Sequence, residues 1–531
     1  MTWERRDTGA LSLVVVVAAI ARLGHVAYGL PEAPYVDAFR FVTEAQRLAF
    51  DSRGFDPIDF MHPGLLKVVM AVIYGTFDVR EPVAAHVVGR LVCAACDLGT
   101  VATVFVVGRR FAGRLAAMAA GIVYALCIVA VTSSRIITTD TMLAFFLTLS
   151  MAVMTKDRVR GIDFLLAGMF VGCAIGTKMT GLYGGLSLLT GAVFAGHDQL
   201  GYRRAFLYAA GAGLLSLVVF LATTPWFIGY AEAFWAAIQV QAEAQRYGQI
   251  GHIQSTPIDY LISSVRTWEQ PWLHSSILYT MGPVVLLGGL ASIVAALGRR
   301  FGRGPLAWAL YVTIFLVLVS GTGRVKAIRY ILAVLPAWSV LVGVGTQAAL
   351  ERWPPPKHLR AWTAGLALAA LALGPAYRTV PFVLATGRPT TNALAYDWAA
   401  QNLPPGSRVL LTPFYLENLA ALPIDPRRLK GAAQVQYRLR ESLGVDTEQQ
   451  PLFRAELVDR MPLAGIHYVI LNSGFEGNLY DTEENRRFFP VSVAAYAAFR
   501  DRLDERGTKL WEVEGWRAGR VGPDIAVYRL E

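Results

Sequence analysis

The chain has 531 residues, 54% apolar and 17% charged, with a net charge of +10 and a mean hydropathy of +0.43. A soluble domain carries about 45–50% apolar and about 25% charged residues, so a disordered chain, a collagen and a small disulfide scaffold are excluded. The basic balance alone leaves nucleic acid open as a partner, and the place of the charge along the chain decides that question.

The first predicted element is a span at 9–29, entered through Arg5-Arg6. It is longer than a signal-peptide core and reads as uncleaved. The loop that follows, 31–83, holds eight acids: Glu32, Asp37, Glu44, Asp51, Asp56, Asp59, Asp78 and Glu81. Inside it Asp37–Phe50 has helical spacing, with Phe41, Ala45, Leu48 and Ala49 on one stripe. Gly64–Phe77 is apolar but too short to span comfortably, and it carries Lys67. Both read as helices lying on or dipping into the membrane interface. Further spans are predicted at 84–108, 115–133, 139–155, 162–177, 179–196, 205–225, 276–297, 305–321, 330–350 and 361–377, which makes eleven. A bilayer core needs about 20 apolar residues per helix, so the pair 162–177 and 179–196 is short.

With the N-terminus inside, the inner segments are Arg5-Arg6, Arg109-Arg110 with Arg114, Lys156 with Arg158 and Arg160, Arg203-Arg204, Arg299-Arg300 with Arg303, and Arg352 with Lys357 and Arg360. Each is basic, as the positive-inside rule requires. The expected protein is therefore a polytopic helical protein of the cell membrane, with a cytoplasmic N-terminus and an extracytoplasmic C-terminal part.

After Tyr377 the long apolar runs stop. Residues 378–531 hold 19 basic and 19 acidic residues, whereas 1–377 hold 30 and 20. The surplus charge thus belongs to the membrane part, where it sets orientation, and no nucleic-acid surface is expected. Two domains follow, 1–377 in the membrane and 378–531 as a small outer α/β domain. In the latter, Asn392–Asn402 reads as a helix, and Arg408–Thr412 and His467–Asn472 read as buried strands. Glu483–Arg506 reads as mostly helical with a break at Pro490, and Lys509–Glu514 and Asp524–Leu530 as a closing pair of strands.

The four cysteines, Cys93, Cys96, Cys127 and Cys173, all fall in spans, and the Cys93–Cys96 spacing reads as helix packing. No phosphate-binding GxxxxGK[ST] loop, HExxH motif or zinc-finger spacing is present. No cofactor is indicated, and a divalent metal is left open.

The polar residues near the outer ends of spans carry the chemical argument. An ionisable group held at membrane depth is costly and points to function. Asp37 begins the first outer loop, where it also fits a solvated acid among eight. Asp140, in Thr138-Thr139-Asp140-Thr141, fits either a helix N-cap or a functional acid. Arginine outnumbers lysine 42 to 7, so lysine is the unusual choice. Lys67, Lys178 and Lys326 all fall near outer ends, against the positive-inside bias. Each alone fits a snorkelling side chain. Together with Arg329 they suggest a site for an anion such as a lipid-borne phosphate. His62 precedes Pro63 at a helix entry. Arg90 and Asp97 share a span and read as bundle packing or polar links, with Arg90 on the outer side within reach of a site there.

These residues resemble the C-type glycosyltransferases of the protein O-mannosyltransferase and aminoarabinose transferase kind. Tyr35-Val36-Asp37 matches that family's acidic motif. His62-Pro63-Gly64-Leu65-Leu66-Lys67 is similar to its His-Pro-Pro-Leu-Gly-Lys stretch. Asp140 resembles its second acid, and Gly176-Thr177-Lys178 and Arg329-Tyr330-Ile331-Leu332 its later signatures. Asp37 departs from the frequent Asp-Glu pair, since Ala38 follows; either Glu44 substitutes at a distance or only one acid is needed. The resemblance implies transfer of a sugar, with inversion, from a polyprenyl-phosphate donor to a hydroxyl of a protein, lipid or polysaccharide. Asp37 would be the catalytic base and Asp140 a second catalytic acid residue. Lys67, Lys178, Lys326, Arg329 and Tyr330 would hold the donor phosphate, with His62, Glu44 and Arg90 as further site residues. A lipid or sugar transporter is the alternative class. It would place ionisable groups at midplane within paired repeats, and no internal repeat is visible.

Overall fold

Apolar segments of this length can satisfy their backbone inside a bilayer only as helices, and helices are what the membrane part contains. A computed structural model of the chain describes residues 3–30, 36–51, 60, 62–247, 256–262, 276–321, 328–404, 407–411, 433–434, 455–463, 465–472, 486–487, 490–515 and 518–531. Its first eight helices are α1 (Arg5–Leu23), α2 (Val36–Phe50), α3 (Leu65–Phe77), α4 (Pro82–Ala112), α5 (Arg114–Ala125), α6 (Ile128–Ser134), α7 (Thr139–Met154) and α8 (Gly161–Thr177). Each of the other predicted spans also carries a helix. Among the described residues, however, seven helices are long and apolar enough to cross a membrane, or eight if the bent pair α5–α6 counts as one. α7 and α8 fall short in length, and α1 carries Asp7 and Arg22 within its turns.

The two predicted interfacial helices form and pack on each other. α2 buries Ala38, Phe41, Val42 and Ala45 against Leu65, Leu66 and Met70 of α3, and Cys93 and Met142 extend the same cluster into α4 and α7. Glu81 explains where α4 starts. Its carboxylate accepts from Val83 N at 2.9 Å and Ala84 N at 2.6 Å, and Pro82 occupies the first helical position.

α5 and α6 meet at a bend of 58°. The bend exposes carbonyls, and buried groups take them up. Arg22 Nη1 donates to Ala125 O at 2.7 Å, and Thr379 Oγ1 donates to Leu126 O at 2.6 Å. Arg22 Nε is paired with Asp97 Oδ2 at 2.6 Å, both fully buried, and Tyr124 Oη donates to Asp97 Oδ1 at 2.7 Å. Asp97 therefore serves the bend and does not link to Arg90.

Several of the basic segments predicted to share one side meet at one end. Asp7 is buried between Arg109 and Arg114, at 3.0 and 2.8 Å. Lys156 pairs with Asp163 at 2.7 Å, and Arg303 pairs with Asp198. A cavity of about 290 Å³ lies here, lined by Arg110, Lys156, Asp198, Arg303 and the rings of Phe111, Phe194 and Phe301.

The last membrane-type helix, Arg360–Ala385, runs unbroken past residue 378. Beyond it, Thr391–Asn402 is a helix capped by the Thr390 hydroxyl. A five-stranded sheet follows in the order β2-β1-β3-β5-β4. Its strands are β1 (Arg408–Leu411), β2 (Ala433–Gln434), β3 (Tyr468–Asn472), β4 (Gly507–Val513) and β5 (Ile525–Leu530). β1 is parallel to β2 and β3, and β5 is antiparallel to β3 and β4. The predicted helix is present over Pro490–Arg506, and the two residues before Pro490, where the predicted break falls, lie outside the described residues. The sequence reading did not include β2 or the helix Ala455–Leu463.

Candidate functional site

At the end of the bundle opposite the basic cluster, two ion-paired groups form around the predicted residues. The first lies where α3 begins. Lys67 Nζ is 2.6 Å from Glu44 Oε2, with the lysine fully buried and the carboxylate nearly so. Lys67 also donates to the His62 carbonyl at 3.2 Å. The rings of Phe41 and Trp226 flank the ammonium at 6.0 and 5.9 Å, and His62 packs edge-on against Phe41. Glu44 thus reaches the site through Lys67, about two turns of helix beyond Asp37.

The second group lies where α7 begins and α8 ends. Thr138, not Asp140, is the N-cap of α7; its hydroxyl accepts from Asp140 N at 3.3 Å and donates to Asp140 Oδ2 at 2.8 Å. The capping alternative for Asp140 is therefore corrected, because a residue two places earlier takes that role and releases the carboxylate. Asp140 Oδ1 is 2.6 Å from Lys178 Nζ, and Oδ2 is 3.9 Å from Arg329 Nε. Lys178 interrupts the helix. Its backbone is extended between α8 and a 3₁₀ turn, Met179–Gly184. Arg329 and Tyr330 sit in another 3₁₀ segment, Ile328–Val334. Tyr330 presents its ring to Lys178 at 4.9 Å and to Arg329 at 6.0 Å.

A short stretch absent from the sequence reading joins the two groups. Gly64 N donates to Thr224 Oγ1 at 3.0 Å. A Cβ on Gly64 would lie 2.3 Å from the Thr223 carbonyl and 2.5 Å from the Trp226 ring, and one on Gly176 would lie 2.2 Å from Thr223 Oγ1. Thr223–Trp226 is therefore wedged between the Lys67 motif and the Lys178 motif. The signal was legible only as two glycines without a turn to make.

Arg90 does not extend into either group. Its Nη1 donates to the carbonyls of Val26 and Tyr28 at 2.6 and 2.7 Å, and the guanidinium stacks on Tyr28. It fixes the end of α1 instead of facing a ligand. Asp37 lies in the first turn of α2, but its side chain lies outside the described residues, as does Lys326. Among the described residues no three His, Cys, Asp or Glu side chains converge as a metal site would need.

The chain's fold is shared with solved membrane enzymes. The archaeal oligosaccharyltransferase AglB from Archaeoglobus fulgidus, solved with an inhibitory peptide and a dolichol-phosphate, aligns with a TM-score of 0.56 at 11% identity, covering 95% of this chain and 73% of that one. ArnT from Cupriavidus metallidurans aligns with a TM-score of 0.53 at 17% identity over 98% of both chains. No curated protein sequence matches the chain. The fold is that of the C-type membrane glycosyltransferases. Residues 69–226 match the family model described as dolichyl-phosphate-mannose-protein mannosyltransferase.

Proposed function

We propose that the protein transfers a sugar from a polyprenyl-phosphate donor to a hydroxyl acceptor at the extracytoplasmic face, with inversion at the anomeric carbon. The observation that carries this reading is the pairing of Asp140 with Lys178 and Arg329, set beside Glu44–Lys67 in a bundle of this fold. A structural relative is described as bound to undecaprenyl phosphate and another as holding a dolichol-phosphate, which supports the donor class. The acceptor is a protein, a lipid or a polysaccharide.

In the reaction the acceptor oxygen attacks the anomeric carbon, and its proton passes to the Asp37 carboxylate. The bond from that carbon to the phosphate oxygen breaks, its electron pair stays on the oxygen, and polyprenyl phosphate leaves. Negative charge grows on the phosphate as the bond breaks. Lys67, Lys178, Lys326 and Arg329 are the cations assigned to it, with Tyr330 beside them. Glu44 and Asp140 hold Lys67 and Lys178 in place before the donor arrives, so less side-chain freedom is lost on binding. Asp140 in this scheme acts mainly by orienting Lys178 and Arg329.

The test is transfer by purified protein supplied with polyprenyl-phosphate sugars. Asp37→Asn should abolish transfer while leaving the protein folded. Near-wild-type transfer by that variant would remove Asp37 from the role of base.

A further inference from the structure

Three parts of the chain converge on one buried side chain, Arg135, which is fully enclosed. It follows α6 and stands five residues before Asp140. Its guanidinium donates to three carbonyls at the end of α1: Ala21 at 3.2 Å, His25 at 3.3 Å, and Gly24. The same Nη2 donates to Thr386 Oγ1 at 2.9 Å. The plane of the guanidinium faces Tyr28 at 5.0 Å and Phe382 at 5.4 Å.

Each partner leads somewhere different. The turn after α1 runs on towards Asp37. It includes His25 at φ +52°, a conformation that costs a non-glycine residue energy unless its surroundings hold it. Arg135 itself leads into Thr138 and Asp140. Phe382 and Thr386 end the helix Arg360–Ala385, immediately before the small domain begins with the cap at Thr390. Small displacements of reacting groups are costly to a rate, so a shared anchor for these three parts matters to catalysis.

We infer that Arg135 is a positioning residue that ties the root of the C-terminal domain to the turn after α1 and to the segment that leads into Asp140. The domain's docking thereby sets the geometry of the site without touching substrate. A planar, five-donor guanidinium suits this task, because lysine offers neither the fork nor the stacking faces. The inference rests on the glycosyltransferase reading for its effect on rate, but the joint has a signature of its own.

The experiment uses the full chain in detergent or nanodiscs, with Thr386→Val and Arg135→Lys. Thr386→Val removes the hydroxyl's bond from Arg135 and its own local bond to the Val383 carbonyl at 2.6 Å, and Thr386 lies far along the chain from any residue assigned to chemistry. It should lower kcat about tenfold and leave the affinity for sugar-free polyprenyl phosphate unchanged. Thr386→Ser, which keeps the hydroxyl, should restore kcat. Independently of activity, amide hydrogen exchange should quicken in both 24–30 and 136–140 in the two impaired variants. The turn's own bonds, such as Tyr28 N to His25 O at 2.9 Å, report the first segment. Unchanged exchange in both segments overturns the joint whether or not the protein transfers sugar. Unchanged kcat in Thr386→Val, with Asp37→Asn inactive, also overturns it and leaves the glycosyltransferase reading standing. Wild-type protein that neither binds polyprenyl phosphate nor transfers sugar sinks that reading, and the exchange result then judges the joint alone.

Discussion

At Thr138 and Asp140, two neighbouring oxygens divide two tasks that one residue type could perform. The threonine hydroxyl caps α7, and the carboxylate is left for Lys178. A cap hydroxyl contributes about 1 kcal/mol, so Thr138→Ala should lower stability modestly while loosening Asp140. Its transfer rate should fall by more than its melting temperature suggests. Asp140→Asn removes the charge opposite Lys178 and Arg329, and the expected outcome is a loss of transfer of at least about 100-fold, as for removal of a preorganised electrostatic group. Steady-state kinetics at saturating donor checks this. Lys178→Ala should raise the donor KM or lower kcat, and a variant unchanged in both parameters would count against a phosphate contact.

The bend between α5 and α6 depends on Arg22, Asp97 and Tyr124. Asp97→Ala strands a guanidinium that is fully buried, and the expected destabilisation is about 3–5 kcal/mol, read from denaturant unfolding in mixed micelles. Where α1, α4 and α5 begin and end together, the hydrogen bond from Arg109, followed by the contact near Glu4 and the bond from Arg114, holds the Asp7 carboxyl well below the usual carboxylate range. Its folded-state pKa is depressed, so its contribution is present above the unfolded value of about 3.9 and is lost as pH falls below that towards the folded value. Asp7→Asn should therefore melt earlier than wild type at pH 7, and the gap should close below about pH 4. Much of this was legible from the sequence. The helical elements, the stripe of α2 and the closing strands β4 and β5 follow from local period and turn residues, because burial repeats at 3.6 or 2 residues. The bend was not legible, since Leu126-Cys127 carries no proline or glycine and the groups that accept its carbonyls come from Arg22 and Thr379. Nor was the destination of Arg90, which is settled by two carbonyls more than sixty residues away. The cap could not be assigned because Thr138, Thr139 and Asp140 all suit it by type. The lysines were found by scarcity, but their pairing with Glu44 and Asp140 is a long-range result that no local pattern encodes.

Across the whole molecule the two ends differ in chemical character. One gathers arginines, Lys156 and the buried Asp7, and the other gathers carboxylate–lysine pairs and the end of the helix Arg360–Ala385. The proposed orientation puts the second end outside. A cysteine placed at Arg388, in protein otherwise lacking cysteine, should then react with a membrane-impermeant thiol reagent in intact cells, and one at Arg300 should not. The reverse pattern would invert the topology. The Arg22–Asp97 pair also bears on how the protein is made. In the proposed topology the buried guanidinium in the last turn of α1 opposes insertion, by up to about 2.5–3.5 kcal/mol for a charge at a helix centre, and its counter-charge is 75 residues downstream. The first helix therefore enters the membrane incomplete, and only the arrival of α4 from the ribosome neutralises it. Biogenesis has a built-in order: a nascent chain stalled before Asp97 should remain extractable by alkali or held at the translocon, whereas one stalled after α5 should be stably inserted.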